Sequence, residues 1–513
     1  LSELLPTGGG QNAVDFVASG TLPSGQAVAL KTNGQVEAVA AGGPASAAPV
    51  LVSSGTNSFI NGSAYDSVAQ KVVILYNPDS VMDAIAVVGT VSGSTISFGT
   101  PTTVNTGSVR NCSVVYDSVN QKVVLIYNIG GVVYGAVGTV SGTSISVGSS
   151  TGVSVGGSYG PYLCTTYDSD LGKVVVGIQG TSAYAYAVVG TVSGTSISFG
   201  TSVVVNSVGS YDQAIAYDQS AQKVGYFYRQ ANVGSFYGRV GTVSGTSISF
   251  GAQSAGISGT PAYADACYDS NAQKIVVVYS RNSSANRPYC VVATITGTSL
   301  SFGTPAQINI PAVGSEYNAI SYDSEAQKVV VTNYVSNLSP QTVIGTVSGT
   351  SITFGTGVTL VSSTGLSRSV TSVFDPDANK TVISTEISSP AGLSSVVFSA
   401  SSTNNTSFIG ITSEAISSGA TGAINTYGGI NTAQTGLTIA SDYYVQSDGS
   451  LAAGVTSIPY DISSATYTQN FNVSSQETSP QGLAFSPDGT KMFMVGYADD
   501  KVFQYALSTA FDI

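Results

Sequence analysis

The feature that most constrains this chain is a seven-fold internal repeat. An aromatic-Asp pair, a short turn, a Lys and an apolar run recur as YDSVAQKVVILY from Tyr65, YDSVNQKVVLIY from Tyr116 and YDSDLGKVVVGI from Tyr167. The series continues as YDQSAQKVGYFY from Tyr217, YDSNAQKIVVVY from Tyr268, YDSEAQKVVVTN from Tyr322 and, in degenerate form, FDPDANKTVIST from Phe374. Successive landmarks lie 50 to 54 residues apart. Six units add a second signature, such as VVGTVSGSTISFGT from Val87 and VIGTVSGTSITFGT from Val343. A period of this length means one supersecondary unit per copy, which buries its faces only against its neighbours.

Each unit reads as four strands: one ending at the landmark, the β-branched run after Lys, the VVGTV segment, and ISFGTPTTV as a single fourth strand. The Asp-Ser and Ser-Gly-Thr-Ser stretches between them have turn chemistry. The second strand is apolar at consecutive positions, which fits a sheet covered on both faces. Four such strands in a unit of this size make a β-propeller blade. The seventh unit lacks the ISFGT strand, while Pro49–Ser53 (PVLVS), ahead of the first unit, is in the phase of the missing one. The expected fold is all-β: a seven-bladed propeller over 49–403 whose last blade is completed by this early strand.

In such a blade the first-to-second and third-to-fourth turns lie on one face. Here they are near-identical in every unit. The opposite face carries the second-to-third loops and interblade links, which vary in length and content. Seven of the ten Lys occupy the repeated turn, whereas all six Arg lie in or beside the variable segments. Those segments are rich in Tyr, Asn, Ser, Gly and Arg, the mixture used for adaptable polar recognition on a rigid scaffold. The candidate binding residues are Arg110, Tyr159, Arg229, Tyr237, Arg281, Arg287, Tyr289, Tyr317 and Arg368. The repeated carboxylates Asp66, Asp117, Asp168, Asp218, Asp269, Asp323 and Asp375 fall on the other face and read as turn caps.

Composition narrows the chemistry. The chain has no His, so a Ser-His-Asp triad, a Cys-His pair and a His-ligated zinc are excluded. A net charge of -12 with 16 basic residues argues against a nucleic-acid groove. No apolar run is long enough to span a membrane as a helix. Cys112, Cys164, Cys267 and Cys290 form no CxxC motif and read as small buried thiols, with a Cys267–Cys290 bridge as the alternative. No catalytic residue, metal site or cofactor is expected.

Residues 12–42 and 404–457 read as two parts of one small split β domain. VALKTNGQVEAV and YYVQSDGSLAAG each place Asn-Gly or Asp-Gly between strand-like runs, a strong hairpin signal. Residues 1–11 read as an attachment segment. The opening LSELLPTGGGQN has no basic region before an apolar core, so it is not a secretory signal, and without an initiator Met the natural chain is expected to extend upstream. Residues 458–513 read as a linker and one repeat, SPQGLAFSPDGTKMFMVGYADDKVFQYALS, with a turn at Pro487-Asp488-Gly489. Since one blade cannot bury its own faces, continuation beyond Ile513 is expected.

The segments DFVASGTLPSGQAVALKTNGQVEAVA and FIGITSEAISSGATGAINTYGGINTAQTGLTIASDYYVQSDGSLA resemble the small β module of tailed-phage virion proteins, especially those of marine phages. The YDSxxQKVVxxY and VGTVSGTSISFG units resemble the repeats of the same proteins, and the C-terminal unit is similar to SPDG-type propeller repeats. The resemblance implies a non-enzymatic virion appendage, tail-fibre-like, that presents a propeller to a host-surface glycan. It further implies attachment to other virion proteins through the N-terminal segment and small β domain, and a homo-oligomer. A capsid decoration or head fibre that binds only virion subunits is the alternative, and a polysaccharide-degrading appendage is a third reading.

Overall fold

The computed structural model describes residues 13–19, 21–30, 34–38, 44–54, 59–78, 82–153, 162–281, 287–310, 315–335, 339–361, 365–388, 391–400, 408–426, 443–445, 451–453, 480–485, 491–496 and 502–506. Seven antiparallel sheets follow one another along the chain, each carrying one landmark. Their first strands are Phe59–Asp66, Val109–Asp117, Leu163–Asp168, Ser210–Asp218, Pro261–Asp269, Ser315–Asp323 and Gly365–Asp375. Each packs on the next, and the last packs on the first, which closes a ring around a central axis. The chain is an all-β propeller.

The second strands show why these sequences build blades. In Lys71–Asn77 every residue after the Lys is buried. Val73 and Leu75 pack against Val123, Leu125 and Tyr127 of the second blade. Val72 and Ile74, pointing the other way, pack against Val382, Leu393 and Val397 of the seventh. The two faces of one strand thus serve two neighbours, and the alternation of side chains in a strand explains why no polar face remains.

The landmark Asp caps its own turn in every blade. Oδ1 of Asp66, Asp117, Asp168, Asp218, Asp269, Asp323 and Asp375 accepts the backbone N–H three residues on, at 2.8–3.0 Å. The landmark Tyr has a different task. It reaches back to the preceding blade's turn: Tyr167 donates to Asp117 Oδ1 at 2.6 Å, Tyr217 to Asp170, and Tyr65 to Asp377, closing the ring. Tyr268 and Tyr322 accept the backbone N–H groups of Ser220 and Asn271 at 3.2 and 3.3 Å.

A second fastening lies further out. A Cβ on Gly99 would sit 1.8 Å from the Thr143 carbonyl oxygen of the next blade, and Gly148, Gly200, Gly251 and Gly303 are equally tight against Thr195, Thr246, Thr298 and Thr350. The glycine of each S-F-G signature (S-V-G in the second blade) is therefore demanded by the neighbour's turn. Gly355 has no such contact, because the seventh unit has no Ser-Gly-Thr-Ser turn. This pinning also corrects the expected single fourth strand. In the first blade it is two pieces, Thr95–Phe98 and Thr102–Asn105, both paired with Ala84–Ser92. The chain leaves the ladder at Gly99 and returns after Pro101.

The seventh blade is completed from the other end of the ring. Val50–Ser54 pairs antiparallel with Ala391–Ser399, with Leu51 opposite Ser394, and Ala45–Ser46 pairs with Phe398 and Ser399. The closing segment therefore starts at Ala45 rather than at residue 49. The four cysteines are free, so the Cys267–Cys290 alternative falls: the two lie on the first and third strands of one blade with the Lys274–Arg281 strand between them.

A separate five-stranded sheet draws on both flanks, in the order Ala13–Val17, Thr421–Asn425, Phe408–Thr412, Ala27–Leu30 and Val36–Ala38. Leu22, Val28, Val36, Ile416 and Ile424 form its core. Among the described residues the strands Tyr443–Val445 and Leu451–Ala453 pair with each other and with no strand of this sheet. The sheet's second contribution thus ends at Asn425, short of the expected 457. The chain divides into two compact units, and the second, 433–446 with 450–513, holds this hairpin and a three-stranded sheet of Pro480–Phe485, Lys491–Gly496 and Val502–Ala506. The expected Pro487–Gly489 turn and the 1–11 segment lie outside the described residues. Among the described residues no helix is long and apolar enough to cross a membrane.

Candidate functional site

At the variable end of the first strands the pairing slips. Register breaks occur in every blade but the third, and in three consecutive blades they fall between Tyr211 and Ala214, Ala262 and Asp265, and Glu316 and Asn318. The residue five places before the landmark then has positive φ: Asp212 at 50°, Tyr263 at 54° and Tyr317 at 53°. Bulky residues avoid this region, and holding one there costs on the order of 1–3 kcal/mol. Such bulges re-aim side chains next to binding sites.

The re-aimed residues meet. Asp212 Oδ2 accepts Arg229 Nε at 2.8 Å, and its Oδ1 accepts the Tyr263 N–H of the next blade at 2.9 Å. The Tyr263 ring lies 4.8 Å from that of Tyr317, one blade further, and Tyr317 lies 6.4 Å from Tyr334. In the other direction Arg229 sits 5.0 Å over the Tyr211 ring, which meets Tyr162 edge-on at 6.1 Å. Asn318 Nδ2 ties the frame by donating to the Tyr263 carbonyl at 2.8 Å. The result is a continuous aromatic arc across the third to sixth blades at the variable mouth of the axis. Burial, and then the negative charge of Asp212, push the Tyr162 hydroxyl well above the usual tyrosine range, while Arg229 opposes them. Asp265, half-buried on an inner strand below the arc, is raised to about 6 by burial, against the Ile320 and Ala266 N–H groups that its carboxylate accepts at 3.0 and 2.8 Å.

The expected site residues do not form one cluster. Arg229 and Tyr317 are in the arc. Arg281, Arg287 and Tyr289 form a separate group on the fifth blade, where Arg281 lies 4.4 Å over the Tyr289 ring. Tyr237 packs 6.3 Å from Tyr228 in the seam between the third and fourth blades. Arg110 and Arg368 lie on the first strands of the second and seventh blades, with side chains outside the described residues, as is all of Tyr159. Tyr162, Tyr211, Asp212, Tyr263 and Tyr334 were missed. One signal pointed to two of them: the position five before the landmark is Tyr in the third, fifth and sixth units, at 162, 263 and 317.

The repeated-turn face has its own feature, a cavity of about 320 Å³ lined by Tyr116, Tyr167, Tyr217 and Tyr268 with Thr165 and Ala216. Three of its tyrosines, Tyr167, Tyr217 and Tyr268, are seam latches. Among the described residues no group of His, Cys, Asp or Glu is placed to hold a metal ion.

No family model and no curated protein sequence matches the chain. Among solved structures it is similar to the BP39L lectin from Burkholderia pseudomallei, at 10% identity with a TM-score of 0.51, over 68% of this chain and 97% of that one. It is also similar to the fucose-specific lectin from Aleuria aurantia, at 13% identity and a TM-score of 0.41, over 60% and 98% of the two chains. A third similar structure is AofleA from Arthrobotrys oligospora, at 12% identity and a TM-score of 0.41, over 66% and 96%. At these identities the likeness is one of fold.

Proposed function

We propose that this chain is a non-enzymatic appendage of a virus particle, tail-fibre-like, whose propeller recognises a host-surface glycan through the aromatic arc. The observation that carries the reading is the arc itself. Three residues of unfavourable backbone geometry, Asp212, Tyr263 and Tyr317, are held in register on adjacent blades, and strain of this kind concentrates where binding is organised in advance. Tyrosine rings offer a flat apolar face for the C–H side of a sugar and a hydroxyl for its polar rim, with little rotamer entropy to lose. That the fold is shared with a lectin supports the same direction.

Binding fits this site better than catalysis. Glycoside cleavage uses two carboxylates free to act as acid and base or nucleophile. Here Asp212 is engaged by Arg229 and the Tyr263 N–H, and Asp265 by two backbone N–H groups. The placement on a phage particle rests on the resemblance of the repeats and of the flanking module.

The test is calorimetric titration of the purified chain with surface polysaccharide from candidate host bacteria. A Tyr263→Ala, Tyr317→Ala double variant is expected to bind about tenfold or more weakly, a loss of about 1.4 kcal/mol or more. A Tyr237→Phe control in the blade seam is expected to bind as wild type. Equal binding by the double variant and the wild type would remove the arc from the account.

A further inference from the structure

The fifth blade carries two arginines that the arc does not use. Arg281 closes the strand Lys274–Arg281 and Arg287 opens Arg287–Thr296, and the two are direct cross-strand partners. Like charges placed opposite each other in an antiparallel pair are unfavourable. The arrangement is therefore a cost to the fold unless something else offsets it. Within a chain of net charge -12 with only six Arg, this pairing of two cations is conspicuous, and the connecting residues 282–286, Asn-Ser-Ser-Ala-Asn, supply no acid.

The preceding blade places Gln230, not an arginine, at the position of Arg281: Gln230 lies opposite Ser210 as Arg281 lies opposite Pro261. Among the described residues Arg229 pairs with Asp212 at 2.8 Å, while no carboxylate stands within ion-pair distance of Arg281. Arg281 stacks on Tyr289 at 4.4 Å, and its Nε is buried without an acceptor. Its backbone neighbours confine it: Arg281 is also the partner of Pro261, and a Cβ on Gly259 would come within 2.6 Å of its Nε. A guanidinium 4.4 Å from a ring and packed against Gly259, on the same side of the hairpin as its cross-strand partner Arg287, presents donors of the kind that match an oxyanion in two places.

We infer that Arg281 and Arg287 form an oxyanion clamp that takes a sulfate or carboxylate group of the bound polymer, with Arg281 opposite Pro261, two residues before the arc residue Tyr263. The inference rests on the glycan-binding reading and makes it narrower: the glycan is acidic. The clamp supplies the charge selectivity and the arc the stacking surface.

The test uses the chain labelled with ¹⁵N-arginine, whose six arginines give at most six side-chain Nε signals. Those of Arg281 and Arg287 are identified by their loss in Arg281→Gln and Arg287→Gln. The probes are a sulfated carrageenan disaccharide, its desulfated counterpart, an alginate disaccharide and sodium sulfate, each at constant ionic strength. The sulfated or the carboxylated sugar is expected to move both signals and the desulfated one to move neither; which acidic probe binds more tightly identifies the group. The double variant is expected to lose about tenfold or more in affinity for that probe, with thermal unfolding no lower than that of the wild type. If every probe leaves the two signals unmoved, or the desulfated sugar moves them as far as the sulfated one, the clamp is overturned. Movement by sodium sulfate with no sugar binding at all would keep the clamp and reject the glycan reading.

Discussion

The Tyr167 hydroxyl donates to Asp117 Oδ1 at 2.6 Å across the seam between the second and third blades. Asp117 is buried and also holds the Asn120 N–H of its own turn at 2.9 Å. One carboxylate thus fixes a turn and a blade boundary together, and burial with this bond pushes the Tyr167 hydroxyl up to about 12. Tyr167→Phe keeps the ring and removes this bond together with the acceptor of the exposed Val119 N–H at 3.2 Å. It is expected to cost about 1–2 kcal/mol in urea unfolding, since Asp117 loses a donor it cannot replace from water. No change would mean that the seam is held by packing alone.

Ring closure depends on Gly392. Its φ is +136°, and a Cβ there would lie 2.2 Å from the Ser53 carbonyl oxygen in the strand that completes the seventh blade. Gly392→Ala is expected to destabilise the propeller by about 2 kcal/mol or more. Gly355→Ala, where the added atom meets only a carbonyl at 3.9 Å, serves as the tolerant control. Chemical unfolding of the two variants side by side checks the contrast.

Asp212 is the keystone of the arc. It is buried, and it answers both Arg229 and the Tyr263 N–H. Asp212→Ala leaves a partly buried guanidinium and a backbone donor unmatched. The expected loss of stability is about 3 kcal/mol, together with loss of glycan binding. Asp212→Asn keeps an acceptor for the Tyr263 N–H and is expected to lose less stability than Asp212→Ala.

Asp265 gives a pH signature. Burial raises its carboxyl from 3.8 to about 6 in the folded chain, so between those values the folded state binds more protons than the unfolded one. Its contribution to stability is fully present below the unfolded value and is lost as pH rises through about 6, by on the order of 2 kcal/mol. The stability of the wild type relative to Asp265→Asn is therefore expected to fall from pH 4 to about pH 6 and to stay level above that. Urea titrations at several pH values measure it, and a difference that does not vary with pH would contradict it.

Much of this was legible in the sequence, for a physical reason. Asp66 and its six equivalents read as turn caps because a turn is a local structure with local rules, and the structure gives each of them the expected N–H partner. The strand at Leu51 was placed by the phase of the repeat, which is a count and needs no geometry. What escaped depended on contacts between units. Tyr167 reaches a residue 50 positions away, and Gly99 is small because Thr143 of the next blade presses on it. Neither partner is visible within one repeat. The arc was harder still. Tyr263 looks like an ordinary strand residue until the register slips between Ala262 and Asp265 and turns it toward Tyr317. Loop composition drew attention to Arg281, Arg287 and Tyr289 instead, which form a different group on the same face.

Where a surface polymer meets the propeller is tested most directly by a structure of the chain soaked with an oligosaccharide from a polysaccharide it binds. The prediction is sugar rings lying against Tyr263 and Tyr317 at the variable mouth, with the Arg229–Asp212 pair intact beneath them. Sugar found only on the repeated-turn face, or only in the blade seams around Tyr237, would contradict it.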